Sequence, residues 1–461
     1  MGERLCSVGL DVGTTTTQLV VSELTVENRA SGFAVPELHI ARRQIRYQSP
    51  VYVTPLVGTE LVDGPGIREI LQKEYARAGI RPADVDTGAV IITGETSRRE
   101  NARQVLDALS ELAGDFVVAT AGPHLESVLA AKGAGATDFS EKTGKRVLHM
   151  DIGGGTANLA LLENGEVMST ACLNVGGRLV KFDAQGRIHY VSPVLEKLCK
   201  LKAGDTASPE GLAPVARLLV QALEMAAGLR ERTALLAQLT TREAGECPVF
   251  SQGEAVPVIS FSGGVADCIE KLWPWEEFGD LGPILGRTIR ESRLCRGEYR
   301  LGEHTIRATV IGAGCHSARL SGSTVFCRNA RLPRKNLPVV RLTEQEQTLP
   351  AGELAALIRQ RMARQDTACV LALPGFPAPA YGQVTALADS LCRGLGQGPV
   401  AVALEQDMAK ALGQAMALRM EKDASLVCID RLRLTPGSYL DIGAPVGPAL
   451  PVVIKTLVLG G

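Results

Sequence analysis

Two aspartates, Asp11 and Asp151, stand at the ends of short apolar runs and are followed at once by glycines and threonines. In the second copy Val147, Leu148 and Met150 lead to Asp151. Gly153, Gly154, Gly155 and Thr156 then precede a further apolar run, 159–162. That order predicts a strand, a tight turn and a returning strand. Glycine accepts positive φ and leaves the backbone amides bare, so the turn can offer N–H groups and a hydroxyl to a phosphate. A carboxylate at the strand end suits the hydrated Mg²⁺ that accompanies phosphates. The first copy repeats the design with Val8, Leu10, Asp11 and Gly13, the hydroxyls of Thr14, Thr15, Thr16 and Thr17, and apolar 19–21. The two aspartates lie 140 positions apart (151 − 11), a domain's length. The repeat therefore predicts two domains, each presenting one such turn to a common cleft.

A third stretch completes the set. The apolar run 256–261 leads into Ser262, Gly263 and Gly264, which predicts a strand, a glycine pair and a helix. Bare backbone there would let a flat adenine and its ribose lie close, where a side chain would collide. The candidate ligand-binding residues are thus Gly13, Thr14, Thr15, Gly153, Gly154, Gly155, Thr156, Ser262, Gly263 and Gly264. Asp11 and Asp151 are the candidate metal-orienting and catalytic carboxylates. Other strings carry less. Asp441-Ile442-Gly443 repeats Asp-x-Gly, but Ala-Pro follows where amides and hydroxyls are needed, so it reads as a turn. No P-loop string occurs. His124 and His149, beside the motifs, read as packing or helix residues, Asp267 as a cap or surface charge, and Arg98-Arg99 as a solvated face.

The elements that must position these residues are α/β throughout. Three domains of ordinary size fit 461 residues, and 45% apolar content can build their cores. The expected division is 1–145, 146–330 and 331–461, the last a smaller α/β domain behind a Pro-containing basic linker at 331–338. Ala/Gly-rich helices are expected at 124–136 and 307–322, and a long helix at 213–238. The balance of 49 basic against 50 acidic residues, with 4% aromatics, speaks against nucleic-acid and membrane-surface partners. No apolar run approaches the roughly 20 residues that span a bilayer. Eleven scattered cysteines without a C-x-x-C pair predict reduced thiols and a cytoplasmic setting. A homo-oligomer is compatible with this composition.

The three motifs, in this order, resemble those of the actin, heat-shock-70 and hexokinase superfamily: two phosphate turns and an adenosine motif. The resemblance implies an actin-like ATPase fold, with two similar α/β halves hinged around a nucleotide cleft and the two small-residue helices crossing at the hinge. It also implies ATP and Mg²⁺ as cofactors and, for Glu126 in HLESVLAAKGAG, a catalytic carboxylate facing the metal. Glu95 ends a strand that would reach the same cleft. Within that superfamily DVGTTTTQLVV, ITGETSRREN, MDIGGGTANLAL and DIGAPVGPALPVVIKTLV closely resemble the ethanolamine ammonia-lyase reactivating factors, over essentially the whole chain. That likeness implies an ATP-dependent, chaperone-like factor that frees damaged cobalamin from an adenosylcobalamin-dependent lyase, in the cytoplasm and in reach of a bacterial microcompartment. The rival readings are a small-molecule kinase, a hydantoinase-type ATP hydrolase, and a relative that binds nucleotide without hydrolysis.

Overall fold

Strand β1 (Glu3–Val12) alternates buried Val8, Leu10 and Val12 with Gly9 and Asp11, and the turn after it folds β2 (Thr16–Asn28) back alongside. The structure, a computed structural model, describes residues 3–13, 16–28, 38–57, 61–92, 117–120, 123–241, 247–248, 257–302, 304–316, 319–320, 325–363, 368–396, 400–434, 438–443 and 450–456. Thr14, Thr15, Glu95, Arg98, Arg99 and the helix expected at 97–113 lie outside the described residues.

The first sheet also contains β3 (Leu38–Gln48), β4 (Thr87–Ile92) and β5 (Val117–Thr120), in the order β3-β2-β1-β4-β5. The second contains β6 (Val147–Ile152), β7 (Ala157–Glu163), β8 (Glu166–Leu173), β9 (Val258–Ser262) and β10 (Tyr299–Leu301), in the order β8-β7-β6-β9-β10. The two orders are the same. In each sheet a three-stranded antiparallel meander is extended by two parallel strands. The duplication visible in the turns is therefore a duplication of the whole sheet, which is the two-halves architecture expected.

Two helices cross between the halves. Helix α1 (Pro123–Gly133) lies over β6, β7 and β8 of the second sheet, and α2 (Ala308–His316) lies over β1, β2 and β4 of the first. Each helix thus packs on the sheet that it does not follow in the chain. The contact is backbone to backbone: a Cβ on Gly133 would sit 1.8 Å from the Ala308 carbonyl oxygen, and one on Gly312 would sit 2.0 Å from that of Leu129. Only glycine allows this approach, and Ala130, Ala134 and Ala308 fill the remaining seam.

The third sheet has eight strands, and its parallel centre is Arg334–Arg341, Val370–Leu373, Val400–Leu404 and Leu426–Ile429. The expected linker at 331–338 is corrected here. Arg334–Arg341 is an interior strand, pairing with Ser438–Ile442 on one side and Val370–Leu373 on the other. Its one proline, Pro338, stands opposite Tyr439, beyond a register shift between Arg334 and Leu337, while Leu337, Val339 and Val340 are buried. Asp441 is likewise a buried strand residue rather than part of a turn. The expected helix at 213–238 is instead Pro209–Ala226 and Ala234–Leu239, separated at Gly228, whose φ of +73° ends the first piece. Among the described residues no helix is long and apolar enough to cross a membrane.

Candidate functional site

The two Asp-x-Gly turns close in the same way. Gly13 N–H donates to the Thr16 carbonyl at 2.9 Å, and Gly153 N–H donates to the Thr156 carbonyl at 2.9 Å. In each, the glycine carbonyl takes a donor from outside the hairpin. Thr54 Oγ1 donates to Gly13 O at 2.8 Å, and Gly177 N–H donates to Gly153 O at 3.0 Å. Asp11 pairs across the ladder with Gln18, and Asp151 with Asn158. Directly opposed residues of an antiparallel pair share a face, so each aspartate stands beside an amide side chain.

Those amides point to the crossed helices. Gln18 Nε2 donates to the Ile306 carbonyl at 3.2 Å, just before α2, and Asn158 Nδ2 donates to Glu126 Oε2 on α1 at 2.8 Å. Asp11 and Asp151 therefore both stand on sheet faces turned toward the helix crossing. Glu126, 8% exposed, is brought to the Asp151 face by this bond. The other atom of each amide, Gln18 Oε1 and Asn158 Oδ1, is buried with no hydrogen-bond partner among the described residues. A ligand atom or solvent molecule that donates would satisfy each of these oxygens.

The glycines divide into two kinds. Gly155 and Gly264 have no atom within 4 Å of where a Cβ would stand, so open space adjoins their backbone. Gly263 is different: its φ is +87°, and a Cβ there would lie 2.3 Å from the Ile152 carbonyl oxygen. Its glycine is required by the packing of the third motif onto the end of β6. The segment 176–178, which the sequence did not single out, seats on the second turn. Arg178 N–H donates to Gly154 O at 2.7 Å, and a Cβ on Gly176 would lie 2.3 Å from that same oxygen. Arg178, held by an ion pair of 3.5 Å to the nearly buried Asp280, places a cation beside the turn. The signal was present as a second glycine pair, Gly176-Gly177, before an arginine.

Ser262 is fully buried, and its hydroxyl donates to Asp151 Oδ1. His149, also fully buried, bridges Ser262 Oγ at 2.9 Å and Ser260 Oγ at 3.1 Å. Burial pushes the Asp151 carboxyl up to about 6 against the opposing pull of the Ser262 bond. Burial, with the Arg300 charge adding to it, holds the His149 ring down to about 3, so the imidazole is neutral. His124 lies outside this chain, its Nδ1 2.7 Å from Thr170 Oγ1. Asp267 accepts from Thr305 Oγ1, and Gly263 N–H donates to Thr305 O at 2.8 Å, so the third motif is tied to the segment that enters α2.

Two matching α/β halves, two matching Asp-x-Gly turns and small-residue helices crossing between them define a protein of the actin-like ATPase fold class. Over residues 3–460 the sequence matches the family described as "Ethanolamine utilisation protein EutA", and the chain belongs to that family. It is 40% identical to the "Ethanolamine ammonia-lyase reactivase EutA" of Salmonella typhimurium, with 98% of each chain covered. It is 38% identical to the protein of that description from Escherichia coli, again with 98% of each covered. Similar solved structures include a Ppx/GppA family member from Aquifex aeolicus, at 15% identity and a TM-score of 0.38, covering 68% of this chain and 87% of that one. Another is the ethanolamine utilization protein EutJ of Carboxydothermus hydrogenoformans, at 17% identity and a TM-score of 0.33, covering 67% of this chain and 88% of that one.

Proposed function

We propose that this chain is an ATP-dependent, chaperone-like reactivating factor for an adenosylcobalamin-dependent ethanolamine ammonia-lyase, releasing damaged cobalamin so that intact coenzyme can rebind. The observation that carries this reading is the match of 98% of the chain, at 40% identity, to a curated reactivase of that lyase. The two turns support the nucleotide part. Bare backbone beside open space at Gly155 and Gly264, and buried amide oxygens without partners, fit a phosphate chain and a nucleoside. Gly13, Thr14, Thr15, Gly153, Gly154, Gly155 and Thr156 would hold phosphates, and Gly263 and Gly264 would face the nucleoside. Asp11 and Asp151 would hold Mg²⁺ through its waters, and the ion supplies charge neutralisation at the phosphates when bound. Glu126, held by Asn158, is the carboxylate we assign to orienting the attacking water.

The chemistry is phosphoryl transfer to water, in which positioning and electrostatics supply most of the catalysis. A hinged protein converts it to work by holding its partner differently in two states. If one nucleotide state favours the lyase-engaging form by about 100-fold, roughly 2.7 kcal/mol is available to loosen the grip on damaged cobalamin. We place the working units at 1–145, 146–330 and 331–461, the first two trading one helix each, and the setting in the cytoplasm. The test is a recovery assay on lyase blocked with cyanocobalamin. Activity should return only with this chain, ATP, Mg²⁺ and fresh adenosylcobalamin together, and the absence of recovery with the native chain would refute the reading.

A further inference from the structure

The chain Ser260–His149–Ser262–Asp151 lies wholly inside the second half and is built by strand register alone. In the parallel pair β6–β9, His149 is opposite Ser260 and Asp151 is opposite Ser262, so four polar side chains collect on one face, with His149, Ser260 and Ser262 fully buried. The direction of the bonds follows from proton counting. Ser262 has one hydroxyl proton, and it goes to Asp151. Its oxygen can then only accept from His149, so Nε2 carries the ring proton and Nδ1 accepts from Ser260. Every donor in the chain points toward the Asp151 carboxylate.

The first half shows that this is not a requirement of the fold. The positions that correspond to His149, Ser260 and Ser262 by strand pairing around Asp11 are Gly9, Ala89 and Ile91. None of them can donate from a side chain. The same strand order and the same turn are made there without imidazole or hydroxyl. The polar chain is therefore particular to the second copy, which buries three polar side chains where the first has Gly9, Ala89 and Ile91.

We propose that His149 is a positioning residue which, through Ser262, fixes the rotamer of Asp151, and that the Ser262 hydroxyl serves this carboxylate rather than the nucleoside. The inference deepens the nucleotide reading above and rests on it for its catalytic consequence. A carboxylate that orients a hydrated cation must hold its oxygens in place, and outer partners of such groups typically contribute about 10- to 100-fold to affinity or rate. Two bonds in series, His149 to Ser262 and Ser262 to Asp151, do this from the side of the carboxylate that faces the strand pair.

The experiment uses the full chain carrying ¹⁵N-labelled histidine, without nucleotide. The chain has six histidines, and the His149 signals are those lost in His149→Gln. The expected result is a proton on Nε2, with the resonance displaced by both Ser262→Ala and Asp151→Asn. A proton on Nδ1, or a resonance indifferent to both substitutions, would overturn the proposal whether or not the protein hydrolyses ATP. Binding gives a second readout: Ser262→Ala should keep its metal-free ADP affinity within about twofold, and a larger loss would return Ser262 to the nucleoside. For turnover, Ser262→Ala and His149→Phe should lose roughly 10- to 100-fold in kcat with little change in KM. His149→Gln, which restores an N–H toward Ser262, should recover most of the loss. Equal rates for the Phe and Gln variants would contradict the positioning role. Native protein without any turnover would refute the ATPase reading alone, since the imidazole spectrum still decides the contact.

Discussion

The two halves share a strand order, a turn closed by the same bond, an aspartate opposite an amide, and a glycine carbonyl supported from outside the hairpin. They differ in what surrounds the aspartate. Asp11 has Gly9, Ala89 and Ile91 at the positions where Asp151 has His149, Ser260 and Ser262. The turn is supported differently as well: a threonine hydroxyl, Thr54, holds Gly13, whereas the backbone of Gly177 and Arg178 holds Gly153 and Gly154. What is common to both is the backbone closure of the turn. The differences lie in what supports the turn and in which side chains surround the aspartate, so two carboxylates that look equivalent in the motif stand in unequal surroundings.

The strongest test of what the halves share is the helix crossing. Gly312→Ala puts a methyl 2.0 Å from a backbone oxygen of α1, and neither backbone can yield without separating the halves. Overpacking of this kind costs on the order of 3 kcal/mol or more when backbone must move. Denaturant unfolding should show that loss, and a native midpoint would mean that the helices are not seated this closely. A smaller effect is expected at the third motif, where Gly263→Ala and Gly264→Ala should separate. The first meets the Ile152 carbonyl at a φ of +87° and should lose roughly 2 kcal/mol, while the second enters open space and should leave stability near native. Gly264→Val should remain folded yet bind ATP more weakly by calorimetry, and equal stability of the two alanine variants would break the distinction. The paired amides should separate by a smaller margin. Asn158→Leu removes a donor from the buried Glu126 carboxylate and should cost about 2 kcal/mol, whereas Gln18→Leu removes only a 3.2 Å bond to a carbonyl and should cost about 1 kcal/mol. A reversed order in thermal unfolding would show that the halves are buttressed the other way round.

Most of the frame was legible in the sequence because glycine and aspartate announce it. The turns after Asp11 and Asp151 sit on strands whose apolar alternation is clear, and the strand–glycine–glycine pattern at 258–264 is local. The small residues at Gly133, Ala308 and Gly312 likewise predict a close helix crossing. What the sequence hid is what register creates. His149 and Ser262 are 113 positions apart, and nothing in either segment marks them as neighbours until β6 and β9 are laid parallel. His149 therefore read as packing and Ser262 as a ligand residue. The seating of 176–178 on the second turn depends in the same way on a long-range contact. The strand at 334–341 was hidden for a different reason: Arg334, Lys335 and Pro338 carry linker composition, while the burial of Leu337, Val339 and Val340 comes from pairing with strands far along the chain.

The claim that the two turns serve one site is tested most directly by measuring Mg²⁺-dependent ATP hydrolysis of Asp11→Asn and Asp151→Asn side by side. Each substitution keeps the shape and removes one charge from the proposed metal site, a change that typically costs roughly 10²- to 10³-fold in rate. Both variants should fall by that order, and the double variant should fall little further, since residues acting as a unit do not add. Full activity in either single variant would contradict the account, because one of the two duplicated turns would then lie outside the chemistry.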